Sequence, residues 1–450
     1  MPKANDNVVY QLAHNPVPGA VDAENNPYSD EELKMLEALN QQYSHVVVGG
    51  KNKVVSLRPC PVSGKTFVFQ SLDEFRQQFS HRPKIGKKQA GSAWLDWPGK
   101  NYKEGGVGFY PDPEKCPDSV FNMYRGLALT PVTGDCTPFL EFLRDVICDG
   151  NLRLFQYLIC WLAHLVRRPD EKPSVALLLK SVEGTGKGTL FKPLKAILGE
   201  LAVQVNGIEQ ITGRFNSLVA NRLLVFADEV EITDTRRVNR LKGLISEHSA
   251  TMEYKGIDAQ QVTNYARFIF AGNSEHMLLA GLRERRYLVL EPNPAKAQDK
   301  AYFDRIYEWL EHGGPAALLA YLKNTDLSDF DPRRAPESPG LIEEKLASLS
   351  PVDSFLFEEL SKGEPFGGRK RSESSYFTEC FMHWSKLNNI QITLNQARAI
   401  LGKRLLKLEA KKTGRVDRGD GKVMYELATP ERMRQCFAAN LGHDEAIFEI

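Results

Sequence analysis

The sequence predicts an α/β protein with a central parallel sheet, a small N-terminal mixed β/α region and a C-terminal winged-helix-like domain. Three short apolar runs predict the sheet: residues 175–179 (VALLL), 223–227 (LLVFA) and 268–271 (FIFA). Continuous apolar runs of this length are typical of parallel strands that are buried on both faces. Each run is followed closely by glycine, acidic or amide residues. Polar chemistry therefore lies at the carboxyl ends of the strands, where open α/β sheets bind ligands.

A glycine-bearing loop follows the first run. Its backbone N–H groups can converge on phosphate oxygens, Lys187 adds a positive charge, and the helix that begins near Thr189 adds the positive end of its dipole. The usual pattern has a glycine where Ser181 stands and a magnesium-binding hydroxyl where Gly188 stands, so Thr189 is the nearest replacement for that hydroxyl. An ordinary surface loop is the alternative. The predicted nucleotide-binding residues are Glu183, Gly184, Thr185, Gly186, Lys187, Gly188 and Thr189.

Two adjacent carboxylates follow the second run. Asp228 can hold magnesium, and Glu229 can orient and polarise the attacking water. An acidic pair in this place favours nucleotide hydrolysis over transfer to an organic acceptor. A strand that runs into an acidic turn is the alternative, since Glu231 and Asp234 come next. We therefore expect ATP and Mg²⁺ as cofactors, with Thr189 and Asp228 on the metal side.

The third run leads to Asn273, and an arginine cluster comes soon after it. Asn273 would place a polar amide at the same sheet edge as the phosphates. Arg285 and Arg286 precede another apolar run, and clustered charges are usually a solvated face. Here we expect one of the two arginines to neutralise charge on the transferred phosphate of a neighbouring subunit. Such a role requires a head-to-tail interface, and interfaces of that kind close into rings.

The order of these elements resembles that of the superfamily 3 helicases of viruses, plasmids and phages. Within them, the chain is similar to the helicase portion of phage and plasmid primase-helicases, which are related to the poxvirus primase-helicase group. The resemblance covers residues 120–325 and implies an ASCE/AAA+-like P-loop ATPase core. It rests on residues 213–216 (GRFN), 226–229 (FADE), 241–245 (LKGLI), 253–256 (EYKG) and 284–287 (ERRY).

The resemblance implies an ATP-dependent DNA helicase or replication initiator of a phage, prophage or plasmid-like element, assembled as a hexameric ring. It places nucleic-acid contacts between the second and third strands, where Lys242 on a helix and Lys255 at a hairpin turn are the candidates. A lysine at a hairpin tip is also a common solubility device. Single-stranded DNA, duplex DNA and a separate primase or replication initiator are the expected partners. Two other classes stay open: a remodelling or defence NTPase that acts on protein, and a non-enzymatic, nucleotide-gated origin-binding protein.

Composition shifts divide the chain of 450 residues into several segments. In the N-terminal part, basic residues alternate with Trp94, Trp97 and Tyr102, which fits either single-strand binding or a solvated edge around a packed tryptophan core. The predicted segments are a flexible arm (1–35), a small mixed β-rich domain (36–135), a helical collar (136–172), the ATPase domain (173–325), a linker (326–349) and a winged-helix-like domain (350–450).

The C-terminal segment combines amphipathic helices with a basic hairpin. This pattern predicts DNA contacts from Arg404, Lys411, Lys412 and Arg415, with protein docking as the alternative. A formal net charge of +1 gives no global attraction to DNA, so binding must come from local charge or from a ring. No apolar run is long enough to span a bilayer. The seven cysteines form no CxxC pair, which suits a reducing compartment, and we expect the cytoplasm of a bacterial host.

Overall fold

The computed structural model describes residues 28–56, 67–213, 219–254, 257–281, 284–413, 423–442 and 445–448. The chain divides into two compact units, Met1–Leu127 and Ala128–Ile450. The second unit joins the predicted collar, ATPase, linker and winged-helix-like segments.

The first unit is a small mixed α/β structure. Its main sheet has the strand order β3-β2-β1-β6, and β1 pairs antiparallel with β2 but parallel with β6. Its elements are α1 (Asp30–Asn40), β1 (Tyr43–Val48), β2 (Lys51–Ser56), β3 (Val68–Ser71), α2 (Leu72–Gln78), β4 (Lys84–Ile85), β5 (Lys88–Gln89), α3 (Ala90–Asp96), β6 (Tyr102–Lys103), β7 (Val107–Gly108) and β8 (Phe121–Asn122).

The described part of the predicted arm is largely helical. Ser29 and Glu32 form a capping box that fixes the start of α1, in which Leu36 is fully buried. Residues 1–27, the rest of the predicted arm, lie outside the described residues. The two tryptophans of the basic-aromatic tract are also buried: Trp94 is 0% exposed and Trp97 is 7% exposed. Their burial supports the packed tryptophan core of the two alternatives.

The second unit contains a five-stranded sheet, helices on and around it, and a smaller C-terminal sheet. Its elements are α4 (Thr137–Glu141), α5 (Leu152–Arg167), β9 (Ala176–Lys180), α6 (Lys187–Leu198), β10 (Ala202–Asn206), α7 (Glu209–Thr212), β11 (Leu224–Asp228), α8 (Thr235–Ser246), β12 (Ser249–Tyr254), β13 (Ile257–Thr263), β14 (Arg267–Gly272), β15 (Tyr287–Leu290), α9 (Lys300–Glu311), α10 (Gly314–Asn324), α11 (Pro339–Ala347), α12 (Pro351–Ser361), β16 (Arg371–Glu373), α13 (Ser374–Leu387), α14 (Leu394–Lys407), β17 (Lys411–Thr413), β18 (Met424–Glu426) and α15 (Pro430–Leu441).

The large sheet confirms the prediction of a parallel α/β sheet. Its strand order is β10-β11-β14-β9-β15, and every neighbouring pair is parallel. The apolar side chains of its three central strands are buried, which explains why these strands read as continuous apolar runs. Because all five strands point the same way, the carboxyl ends of β9, β11 and β14 lie at one edge.

The helices of the predicted collar are tied to this sheet. The indole N–H of Trp161 on α5 donates to the backbone oxygen of Val175, just before β9, at 3.0 Å. Just beyond the carboxyl end of α5, the buried guanidinium of Arg267 donates to the backbone oxygens of Arg168 and Glu171. These bonds satisfy carbonyl groups at and beyond the helix terminus and hold α5 against β14.

The interval predicted as a linker contains α11, which packs on the large parallel sheet. Leu341 belongs to the same apolar cluster as the strands, and Glu344 is 0% exposed. The Glu344 carboxylate accepts hydrogen bonds from the backbone N–H groups of Met277 and Leu278. A capping serine at Ser338 followed by proline is a helix-start signal, and the Pro- and Asp-rich residues before it obscured that signal.

The C-terminal part has the predicted helices and strand pair. α13 and α14 pack against α12 around an apolar core that includes Phe355, Phe381 and Leu401. The strands β16, β18 and β17 form an antiparallel sheet in that order. The predicted turn of the basic hairpin, residues 419–421, lies outside the described residues.

Candidate nucleotide site and nucleic-acid surfaces

A cavity of about 480 Å³ lies at the carboxyl edge of the large sheet. It is lined by the loop between β9 and α6 and by the ends of β11 and β14. Its volume lies within the usual range for small-molecule sites. The predicted site residues that line it are Glu183, Gly184, Gly186, Lys187, Gly188, Thr189, Asp228, Glu229 and Asn273.

Two glycines of the loop are required by backbone geometry and by space. Gly184 has φ +82° and Gly186 has φ +89°, which is the left-handed region that side chains disfavour. A Cβ at Gly186 would also lie 2.7 Å from the ring of Phe303. The loop therefore passes tightly beneath α9, and only glycine fits at residue 186.

The hydroxyl of Thr185 holds the loop together from inside. Thr185 is 0% exposed, and its Oγ1 donates to the backbone oxygen of Val182 at 3.1 Å. A second hydroxyl, Oγ of Ser181, lies 2.6 Å from Thr185 Oγ1. Ser181, which replaces the usual first glycine, therefore contributes to the internal bonding of the loop. Thr185 itself is not among the cavity-lining residues, so its side chain supports the loop rather than facing the cavity.

The ammonium of Lys187 lies where the two central strands end. Its Nζ donates to the backbone oxygens of Ser181 at 2.8 Å and Gly272 at 3.3 Å. Partial burial lowers the pKa of Lys187, whereas the carboxylates of Asp228 and Glu183 act in the opposite direction. A positive charge at the amino end of α6 can bind a phosphate group.

The residues after Lys187 differ in exposure and in bonding. Gly188 is exposed, and a Cβ there would have no atom within 4 Å, so the missing side chain is not a matter of space. Thr189 is only 4% exposed, and its Oγ1 lies 3.1 Å from the hydroxyl of Tyr307. The Thr189 hydroxyl, which the sequence predicts to bind magnesium, therefore has a hydrogen-bond partner on α9.

The acidic pair occupies a strained turn. Glu229 has φ +54°, which is uncommon for a residue with a side chain and is often found at functional sites. Its backbone N–H donates to Oδ1 of Asp228 at 3.0 Å, and its side chain is exposed. Asp228 therefore accepts a local hydrogen bond at the end of β11, while the exposed Glu229 forms part of the cavity lining.

The donor set at this edge fits Mg²⁺. Magnesium binds through one or two carboxylates, with waters and substrate phosphates completing its shell. Asp228 supplies one carboxylate beside Lys187. No group of three or more His, Cys, Asp or Glu residues forms a dedicated metal cage in the part of the chain that the structure describes. A shared metal–phosphate site is therefore the arrangement that these residues suit.

The two predicted arginines have different surroundings. Arg286 donates from Nε to the hydroxyl of Ser246 at 2.9 Å, and its Nη1 lies 3.3 Å from Oε1 of Glu284. Arg285 is exposed. Within the described residues, neither arginine lines the cavity of its own chain.

Lys242, predicted to contact DNA, is held by the same carboxylate as Arg286. Its Nζ lies 3.1 Å from Oε2 of Glu284, whose side chain is 2% exposed. The predicted hairpin is present as the antiparallel pair β12 and β13, but Lys255 at its turn lies outside the described residues.

The C-terminal basic residues fall into two groups. Nη2 of Arg404 lies 2.9 Å from Oδ2 of Asp353, so Arg404 ties α14 to α12. Lys411 and Lys412 are exposed on β17, and Arg415 lies outside the described residues. The prediction omitted the exposed cations Arg398 and Lys403 of α14. Helical periodicity could have found Lys403, because it lies on the opposite side of the helix from the buried positions Ala397, Leu401 and Leu405, whereas Arg404 falls among them.

Four further residues line the cavity: Gly272 ends β14, and the other three come from helices. Lys192 comes from α6, and Phe303 and Tyr307 come from α9. More than a hundred residues separate α9 from the loop, so no local pattern in the sequence indicates that they meet.

The second unit thus has a mixed α/β architecture with a parallel sheet and a polar cavity at its carboxyl edge. Residues 179–286 match a family of unknown function (DUF5906). An alignment of 195 positions, which covers 40% of this chain, shows 27% identity to the DNA primase-polymerase of Nitratiruptor phage NrS-1. The chain covers 27% of the length of that relative.

Solved structures show the same fold over most of the chain. An apo structure of the NrS-1 C-terminal region matches with a TM-score of 0.67 at 16% identity, covering 89% of this chain and 100% of that one. The A-form apo structure of the same region matches with a TM-score of 0.66 at 16% identity, covering 88% and 99%. The chain is therefore similar to a phage replication protein in part of its sequence and in its fold. No described helix is both long and apolar enough to span a membrane.

Proposed function

We propose that this chain is an ATP-dependent DNA helicase or replication initiator of a phage or related mobile element. The observation that carries the proposal is the convergence of Lys187, the Asp228–Glu229 pair and Asn273 on one cavity. A phosphate-binding cation, a metal-binding carboxylate, a second carboxylate for water and a polar amide are the groups that nucleotide hydrolysis requires.

Each residue has a separate role in the proposed reaction. Backbone N–H groups of the loop and the ammonium of Lys187 bind and orient the phosphates. Asp228 holds Mg²⁺, which would neutralise phosphate charge when bound. Glu229 orients the attacking water in the cavity. Asn273, just after β14, places its side-chain amide beside this water. Catalysis of this kind consists mainly of positioning and charge stabilisation, which a rigid sheet edge supplies.

The superfamily 3 resemblance extends the proposal to assembly. In a head-to-tail hexameric ring, the exposed Arg285 of one subunit is the better candidate to reach a neighbour's phosphates, because Arg286 is bonded to Glu284 and Ser246. We propose single-stranded and duplex DNA as partners, together with a separate primase or replication initiator, in the cytoplasm of a bacterial host. The phage relative supports this setting, since it is a DNA primase-polymerase.

The proposal is tested by ATP binding and hydrolysis in two variants. Lys187→Ala is expected to lose ATP binding, whereas Glu229→Gln is expected to bind ATP and lose hydrolysis, because one residue holds phosphate and the other positions water. Equal ATP affinity in wild type and Lys187→Ala would rule out the phosphate-loop assignment.

Stimulation by DNA separates the proposal from its two rivals. Faster ATP hydrolysis with single-stranded DNA is expected of a helicase. Hydrolysis that DNA leaves unchanged would favour a remodelling or defence NTPase that acts on protein. ATP binding without any hydrolysis would favour a nucleotide-gated origin-binding protein.

A further inference from the structure

One wall of the cavity is aromatic and basic rather than acidic. It consists of Phe303 and Tyr307 on α9 and Lys192 on α6. The strand ends that carry Asp228 and Asn273 form another part of the lining. A ligand in this cavity would therefore meet two chemically different surfaces.

The order of residues along α6 indicates how a nucleotide would lie in the cavity. The phosphate loop ends at the amino terminus of α6, next to the strand ends with the proposed metal and water groups. Lys192 comes five residues after Lys187, which is about 7.5 Å along a helix that rises 1.5 Å per residue. A nucleotide with its terminal phosphate at the strand ends would extend past Gly188 towards Lys192 and Tyr307. The space beside Gly188 is open, because a Cβ there would meet no atom within 4 Å.

Tyr307 is fixed at this end of the cavity. Its hydroxyl lies 3.1 Å from Oγ1 of Thr189, and the Nζ of Lys192 lies 4.1 Å from its ring centroid. Lys192 is exposed and has a flexible side chain, so its ammonium can move from the ring to a phosphate oxygen. That movement would leave a face of the ring open to a planar group. Aromatic rings of this kind stack on nucleobases.

We propose that Tyr307 and Lys192 form the nucleoside end of the site, where Tyr307 stacks on the base and Lys192 binds the phosphate nearest the ribose. This inference rests on the proposed function as a nucleotide site. It specifies which part of the nucleotide each wall of the cavity binds. Phe303, 8% exposed and packed over Gly186, supports the wall from beneath.

Two ligands that differ only in the nucleoside test the proposal: Mg²⁺ with ATP, and Mg²⁺ with inorganic tripolyphosphate. Dissociation constants are measured by calorimetry on the full chain. Tyr307→Ala is expected to weaken ATP binding about tenfold to a hundredfold, as lost base stacking does, and to leave tripolyphosphate binding unchanged. Tyr307→Phe keeps the ring and is expected to bind ATP like wild type. Lys192→Gln is expected to weaken both ligands alike.

Tyr321→Ala is the control, because Tyr321 is an exposed tyrosine on α10 and is not among the cavity-lining residues. Unchanged ATP affinity in Tyr307→Ala would overturn the proposal, and so would an equal loss for ATP and tripolyphosphate, since that result indicates a distorted loop. Wild-type protein that binds neither ligand would overturn the proposed nucleotide function itself. The two failures are therefore distinguishable.

Discussion

Lys242 and Glu284 form an ion pair that joins α8 to the arginine cluster. Their Nζ and Oε2 atoms are 3.1 Å apart, and the carboxylate is almost completely buried. Burial opposes ionisation of Glu284, but hydrogen bonds from the Arg286 backbone and from Lys242 bring its pKa below the usual value. Glu284 is therefore a charged group inside the protein that depends on its partners.

Removing Lys242 should destabilise the protein. Lys242→Ala leaves the Glu284 carboxylate with Arg286 as its remaining side-chain cation, and we expect a loss of about 1–3 kcal/mol because a hydrogen-bonded buried charge loses a partner. Thermal unfolding measures the loss. In a Glu284→Gln background the same substitution should cost less. An unchanged melting temperature together with lost stimulation of ATP hydrolysis by DNA would assign Lys242 to DNA contact alone.

Substitution of Arg285 and substitution of Arg286 should have different effects on stability and on activity. Arg286→Ala is expected to lower the melting temperature because it breaks bonds to Glu284 and Ser246, whereas Arg285→Ala should leave it near that of wild type. Arg285→Ala should nevertheless abolish ATP hydrolysis. Mixing it with Lys187→Ala should restore part of the activity, since one subunit supplies the arginine and the other an intact loop. Mixed oligomers without restored activity would contradict an arginine that acts between subunits.

The magnesium-side hydroxyl can be tested at two adjacent positions. Thr189→Val should raise the Mg²⁺ concentration that gives half-maximal ATP hydrolysis, because it removes the hydroxyl that is predicted to bind Mg²⁺. Gly188→Ser in that background should restore the wild-type requirement, since a side chain at residue 188 has open space. Gly188→Ala is the control for the added Cβ. An unchanged magnesium requirement in Thr189→Val would exclude Thr189 and leave its hydroxyl as a partner of Tyr307 only.

Local signals account for what could be predicted from the sequence. The parallel strands are continuous apolar runs, and Lys187, Asp228 and Asn273 each follow such a run closely, so their common edge follows from strand direction alone. The wall that contains Tyr307 could not be predicted in this way, because tertiary packing brings α9 to the loop. Glu344 is a similar case: its buried bonds to the backbone after β14 depend on how α11 folds back.

Buried Lys172 should make stability depend on pH. Its Nζ donates to the backbone oxygens of Leu244 and Ala266, and burial, with a smaller contribution from Arg267, lowers its pKa to about 7, although Glu247 acts in the opposite direction. Between pH 7 and the normal lysine pKa of 10.5, the unfolded chain holds a proton that the folded chain releases. The contribution of Lys172 to the free energy of unfolding therefore rises with pH between these two values, by at most about 1.4 kcal/mol per pH unit.

Lys172→Met removes the titrating group, so the comparison of this variant with wild type isolates the contribution of Lys172. The difference in melting temperature, wild type minus variant, should increase from pH 7 to pH 9, because only the wild type gains stability from Lys172 as pH rises. Groups that titrate elsewhere contribute equally to both proteins and cancel. A difference that stays constant over this range would show that Lys172 keeps its proton in the folded protein.

The exposed cations of α14 should carry the duplex binding of the C-terminal part. Arg398, Lys403 and Lys407 are exposed on this helix, whereas Arg404 is bonded to Asp353. Replacing the three exposed cations by glutamine should weaken duplex binding, and each lost phosphate contact should reduce the slope of log K against log salt by about 0.9. Fluorescence anisotropy over a salt series measures both quantities.

Two controls make this last test specific. Lys386→Gln removes an exposed cation from α13 and should leave the salt slope unchanged. Arg404→Gln should lower the melting temperature through its lost bond to Asp353, with less effect on the slope than the triple variant. A triple variant that binds duplex with the affinity and salt slope of wild type would mean that this helix does not contact phosphates. The exposed apolar residues Ile400 and Leu406 on the same helix would then favour a protein-docking role for the C-terminal part.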